Sequence, residues 1–270
     1  MKKISLIDFV ALSKPLLAMA LVVGSMGYVS PAKANDASVD AVLKHFESVV
    51  FGSEYEGVAA ATQIQKWVGP VRIGVNAMTG QIIPKADGGR ELKLKRVRPS
   101  NEQIELVRKH LTTIVKMTGV KNEAADEKAN KPANLIIRFL PRLAMMQPFV
   151  AKEIDPKLIS KLGRAGVCFF VTSAIRSGAM FRGLIVVNSE LPPDQMDACL
   201  LEELTQAFGM PNDSDIVTPS IFNQKGLLRA HSKTDIAIVK TLYDRRLPAG
   251  TPRKDAIRIA RVILAEKLSE

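Results

Sequence analysis

The chain has 270 residues, 47% of them hydrophobic and 24% charged, with 38 Lys+Arg against 27 Asp+Glu for a net charge of +11. That balance excludes a disordered chain, a collagen-like repeat and a multi-span membrane protein, because apolar residues are plentiful but long uncharged runs are not. Its two cysteines are too few for a disulfide-rich mini-scaffold and enough for one bridge in an oxidising compartment.

Residues 1–34 read as a secretory signal peptide. Lys2 and Lys3 make a basic start, Leu16 to Val23 form an uncharged apolar run, and Ala32-Lys33-Ala34 is a small-x-small cleavage signal before Asn35-Asp36. The alternative is a retained N-terminal anchor in the inner membrane, but two glycines, two serines and Pro31 interrupt the uncharged stretch from Pro15 to Ala32, which is marginal against the ~20 residues a span needs. No other stretch is long and apolar enough to span, so cleavage would leave no transmembrane helix. Cleavage removes four cations (Lys2, Lys3, Lys14, Lys33) and one anion (Asp8), leaving 34 against 26, or +8, on a mature domain of residues 35–270. An exported basic protein, periplasmic or extracellular, meets anionic envelope lipids and polymers rather than nucleic acid.

Along the mature chain, Val39, Val42, Leu43, Phe46, Val49 and Val50 recur at helical spacing, predicting a helical lead-in over 35–66. Trp67-Val68-Gly69-Pro70 breaks it, and Val71 to Val75 alternates as a strand does. Residues 81–98, with Leu92, Leu94 and Val97 among Lys93, Lys95, Arg96 and Arg98, fit either an edge strand with a basic outer face or a solvated loop. Ser100-Asn101-Glu102 starts a helix that Gly119 stops. Residues 121–132 are polar and read as an exposed connection; Asn134 to Leu140 is a buried-strand run closed by Pro141.

A short helix over Asp155–Leu162 precedes two strands, Gly166–Thr172 and Gly183–Asn188, joined through Ser177-Gly178 as an antiparallel hairpin. Pro192-Pro193-Asp194 opens a helix to about Phe208, with Gly209 at its end. Helices around 232–242 and 252–268 close the chain. Strands gathered ahead of a helical C-terminal part predict an α+β domain with helices on one face of a mixed sheet.

Several reaction classes lose support by absence. The sequence has no glycine-rich phosphate loop and no G-x-S-x-G elbow. His45, His110 and His231 are scattered, and each is expected at the surface or in a cap. Cys168 and Cys199 would close a loop of about 30 residues, a staple between the hairpin and the next helix; a catalytic thiol is the alternative, without a nearby His in sequence. On the Pro193 helix, Glu202 and Gln206 are at i, i+4 with Glu203 adjacent. Buried, these groups need hydrogen bonds or a metal; otherwise they are a solvated helix edge.

In the spacing Glu202-Glu203-x-x-Gln206-x-x-Gly209-x-x-Asn212, this segment resembles the zinc-peptidase pattern H-E-x-x-H-x-x-G-x-x-H. Glu203 matches the general base and Gly209 the turn glycine, whereas Glu202, Gln206 and Asn212 stand at the three histidine positions. Together with Asn212-Asp213, Ser220-Ile221-Phe222-Asn223 and Leu242-Tyr243-Asp244, the chain over about residues 55–250 is similar to a family of exported bacterial proteins of unassigned function with zincin-like organisation. The resemblance implies a zincin-like α+β fold in which an antiparallel edge strand, here Leu184–Val187 by order, lies beside the motif helix. It does not imply the zinc chemistry. Zinc prefers imidazole or thiolate, and one carboxylate with two carboxamides would hold Ca²⁺ or Mg²⁺ only weakly.

Three functions emerge as expectations. The first is a catalytically silent module binding a peptide, glycan or anionic envelope component through Glu202, Gln206, Asn212 and Asp213, with no cofactor. The second is a hydrolase using Glu203 as base with a non-zinc or oxygen-ligated metal. The third is a structural envelope component in which these residues only cap and solvate.

Overall fold

In the computed structural model of the chain, residues 38–53, 59–151, 155–164, 166–223 and 227–269 are described; the signal peptide expected over 1–34 lies outside them. Ala37–Glu270 clusters as one compact unit with its own buried core. Ser38 caps helix α1 (Val39–Phe51), its hydroxyl accepting from the Ala41 N–H. Gly52 ends the helix, so the helical lead-in is shorter than the span 35–66: the apolar 3–4 spacing stops at Phe51. The helix therefore breaks at Gly52 and not at Trp67, which lies in the short strand β1 (Lys66–Trp67).

Strand β2 (Ile73–Pro84) continues well past Val75 and pairs antiparallel with β3 (Arg90–Val97). Residues 81–98 are therefore a hairpin with an edge strand rather than a loop. Helix α2 (Asn101–Thr118) has the full capping box between Ser100 and Gln103, and Gly119 closes it at φ +71°. Strand β4 (Leu135–Leu140) leads into helix α3 (Arg142–Met145), a 3-10 turn (Pro148–Ala151) and helix α4 (Pro156–Arg164). The hairpin comes next as β5 (Cys168–Ala174) and β6 (Ala179–Asn188). The chain then runs through helices α5 (Pro193–Gln206), α6 (Lys233–Leu242) and α7 (Arg253–Ser269).

Among the described residues six strands form one mixed sheet in the order β1-β6-β4-β2-β3, with β5 also on β6. The β2–β4, β4–β6 and β1–β6 pairs are parallel, and β2–β3 and β5–β6 are antiparallel. Two expectations need correction here. Leu184–Val187 is interior, flanked by β4 and β5, so the antiparallel edge strand is β5. Helices also cover both faces. The main core joins one face to α1, α2, α5, α6 and α7, while Leu140, Phe169 and Val186 on the other face pack with Ala144, Met145, Ile159 and Leu162 from α3 and α4. Alternation in β4 to β6 puts every second side chain on the second face, and its apolar residues require a cover. The segment between β4 and β5 supplies it.

Cys168 and Cys199 are disulfide-bonded across a Cα–Cα distance of 6.3 Å, tying edge strand β5 to α5. Among the described residues no helix is long and apolar enough to cross a membrane. Converting both cysteines to alanine is expected to lower unfolding free energy by about 3–4 kcal/mol, measured as a shift in urea midpoint against wild type; an unchanged midpoint would show that β5 is held without the bridge.

Candidate functional site

Helix α5 carries the motif. Pro193 sits in its first turn, where a missing N–H costs nothing. Cys199, Glu203 and Gln206 come at i, i+4 and i+7 and share the stripe that the disulfide directs toward β5. Glu203 is 7% exposed and Gln206 1%, whereas Glu202 is half-buried. A solvated helix edge is therefore excluded for Glu203 and Gln206.

Beyond the helix the chain enters a buried loop with no regular structure, held by side chains from distant elements. Trp67 Nε1 donates to Ala207 O (3.0 Å) and the Tyr243 hydroxyl donates to Phe208 O (2.8 Å). Gly209 sits at φ +108°, where a Cβ would meet Gln65 O at 2.3 Å, so only glycine lets the turn close on that segment. Gln206 Nε2 donates to Asp213 Oδ1 (2.8 Å). Asn212 Nδ2 donates to Ser48 O (3.1 Å) and Asp213 O (2.7 Å), fastening the loop to the end of α1. The structure thus joins Gln206 to Asp213, keeps Glu203 one turn away on the same stripe, and commits Asn212 to backbone carbonyls. An amide that donates there is oriented as a fastener, and this donor set does not fit zinc. Among the described residues no group of three or more His, Cys, Asp or Glu is placed to hold a metal ion.

The histidines are not surface residues. His45 is fully buried, with Nδ1 3.0 Å from Ser214 Oγ and Nε2 3.2 Å from Ser220 Oγ. Ser220 gives its one hydroxyl proton to Asp235 Oδ1 (2.6 Å) and accepts from Phe222 N–H, so Nε2 must be the protonated nitrogen and Nδ1 accepts from Ser214. Asp235, fully buried, also accepts from Ile221 and Ser232 N–H. His110 is 2% exposed and lies 2.5 Å from Asp197. His231 Nε2 donates to Thr205 Oγ1 (2.9 Å), whose own proton goes to Leu201 O. The Ser-Ile-Phe-Asn segment was a sequence signal for part of this network; nothing marked His45, whose partners are 169 and 175 residues away.

Lys66, 7% exposed, caps the end of α6 by donating from Nζ to Leu242 O (2.8 Å) and Leu247 O (2.6 Å). Burial pulls its pKa down to about 8 against the opposing charge of Asp244.

A cavity of about 380 Å³ lies at the outer edge of β5. Leu158 and Leu162 come to it from the α4 side and Val50 and Pro211 from the opposite side, so it spans the sheet's thickness just beyond the edge strand. The direction of that edge is set by the ladder. Asn188 N–H bonds Val167 O across the hairpin, and Gly183 N–H bonds Asn134 O on the far side of β6. Odd-numbered residues of β5 therefore bond β6, and the backbone N–H and C=O of Thr172 point outward.

Burial holds the pKa values of His45 and His231 down to about 4, with the charge of His110 adding to the effect at His231. The unfolded chain takes up these protons near pH 6.5 and the folded one only near 4, so stability is full above pH 6.5 and is lost as pH falls toward 4, by about 3 kcal/mol per histidine. Burial raises Asp235, which works in the opposite sense. Nitrogen NMR at pH 5.5 should find both imidazoles neutral with the proton on Nε2; a charged His45 at that pH would refute the network.

The family described as protein of unknown function (DUF2927) matches residues 40–262, and the chain belongs to it. No curated protein and no solved structure matches the chain.

Proposed function

We propose that this member of the DUF2927 family is an exported, zincin-like binding module that takes an extended peptide along the outer edge of β5 and does not cleave it. The cleft carries the reading. Its volume falls in the range of ligand sites, and none of its described lining residues is charged. Alanines 59–61, Leu158, Leu162, Val171 and Met180 suit the side chains of a peptide rather than the hydroxyls of a glycan. Thr172 offers a donor and an acceptor to an added strand, the main-chain mode of peptide capture.

The zincin-like part of the reading rests on an antiparallel edge strand beside α5, with Glu203 at the general-base position. Without imidazole ligands to hold a metal, Glu203 has no activated water to deprotonate. A paired Cys168–Cys199 is the form that an oxidising compartment sustains, which supports export.

The test uses fluorescence anisotropy with short peptides of alternating apolar and polar residues. Thr172→Pro, tolerated because that N–H lies outside the ladder, should weaken binding at least about 10-fold, while Thr172→Ser and Glu203→Gln bind as wild type. Mass spectrometry should recover the peptides intact. Cleavage by wild type that Glu203→Gln abolishes would replace this reading with the hydrolase one, and no binding to any such peptide would overturn it.

A further inference from the structure

The β2–β3 hairpin has a part that the sheet does not use. Strand β4 pairs with β2 only from Ile73 to Ala77, whereas β3 pairs with it from Ala77 to Pro84. The ribbon therefore runs beyond the sheet for about 24 Å at strand rise. Its base packs near Pro141, which a Cβ at Gly80 would meet at 3.1 Å, but its turn stands clear: a Cβ at Gly88 would meet nothing within 4 Å.

Within residues 85–98 the six cations Lys85, Arg90, Lys93, Lys95, Arg96 and Arg98 face only two acids, Asp87 and Glu91, and all eight are exposed. By contrast, Arg246, Arg253, Arg258 and Arg261 each pair with a carboxylate. No ion pair is found for the six ribbon cations among the described residues. Charges on an edge strand prevent edge-to-edge pairing, but that role needs neither a six-to-two excess nor an exposed isoleucine near the turn. Ile82 is 54% exposed and stands directly across from Leu92; alternation puts it on the face of Arg90 and Arg96, beyond the part where Leu92 and Leu94 meet the second core, and puts Lys93 and Lys95 on the opposite face. Clustered cations around an exposed aliphatic side chain are what the headgroup layer of a bilayer accommodates: phosphates meet the cations and the apolar group enters the interface.

We propose that the turn end of the β2–β3 ribbon docks end-on on an anionic phospholipid surface, with Arg90 and Arg96 on one face of the ribbon and Lys93 and Lys95 on the other reaching the headgroups, and Ile82, beside Arg90, entering the interface. The site lies on a different sheet edge from the β5 cleft and is independent of it.

The test is co-sedimentation of residues 37–270, which hold their own core, with phosphatidylglycerol–phosphatidylcholine vesicles. Binding is expected to these and not to phosphatidylcholine alone, and to weaken as salt rises. Lys93→Gln/Lys95→Gln/Arg96→Gln should lower the partition coefficient on the order of 100-fold, and Ile82→Ser should lower it several-fold, with circular dichroism unchanged in both. A matched loss of three exposed charges elsewhere, Lys44→Gln/Lys240→Gln/Lys254→Gln, should change it little. The proposal is overturned if that control loses as much binding, if neutral vesicles bind equally, or if a single-stranded oligonucleotide competes for the ribbon and binds tighter than the vesicles.

Discussion

A helix that ends inside a protein leaves carbonyls that water cannot reach, and α5 is such a helix. Much of the surrounding architecture answers that one constraint. Trp67 and Tyr243 bring donors to Ala207 O and Phe208 O, Gly209 lets the chain turn against Gln65, and Asn212 fastens the buried loop to α1. Ser214 and Ser220 then continue the work through His45 and Asp235. The short motifs that stand far apart in sequence, Asn212-Asp213, Ser220-Ile221-Phe222-Asn223 and Leu242-Tyr243-Asp244, meet around this one buried end. Their convergence is structural before it is chemical.

The same rigidity serves the cleft. Pro211 lines it from the buried loop and Gln65 from the segment that Gly209 abuts, so two of its walls inherit their positions from the end of α5. A third wall, β5, is fixed to the helix by the disulfide. Binding along a strand edge needs such pre-set geometry, since every unfixed wall would add ordering cost on association.

Most of the elements are legible in local patterns of the sequence. The Ser100 cap and Gly119 stop, the apolar run of β4 and the two closing helices are each written in adjacent residues. The rest is non-local. Alternation says that β4 to β6 have two apolar faces but not which segment covers the second, and α3 is only four residues long. The motif helix is legible at Glu203 and Gln206, yet their burial is not, because it depends on α5 lying between the sheet and other helices. His45 looks isolated in the sequence for the same reason: its partners are brought near by folding, not by spacing.

The disulfide couples this geometry to chemistry outside the fold. With the Cys168–Cys199 bond broken, β5 would be held to α5 by packing alone, while its ladder to β6 would persist. The strand edge would then gain freedom at the very wall that lines the cleft. The redox poise of the surroundings thus sets how ordered the cleft wall is, through the entropy of the edge strand rather than through any contact within the cleft.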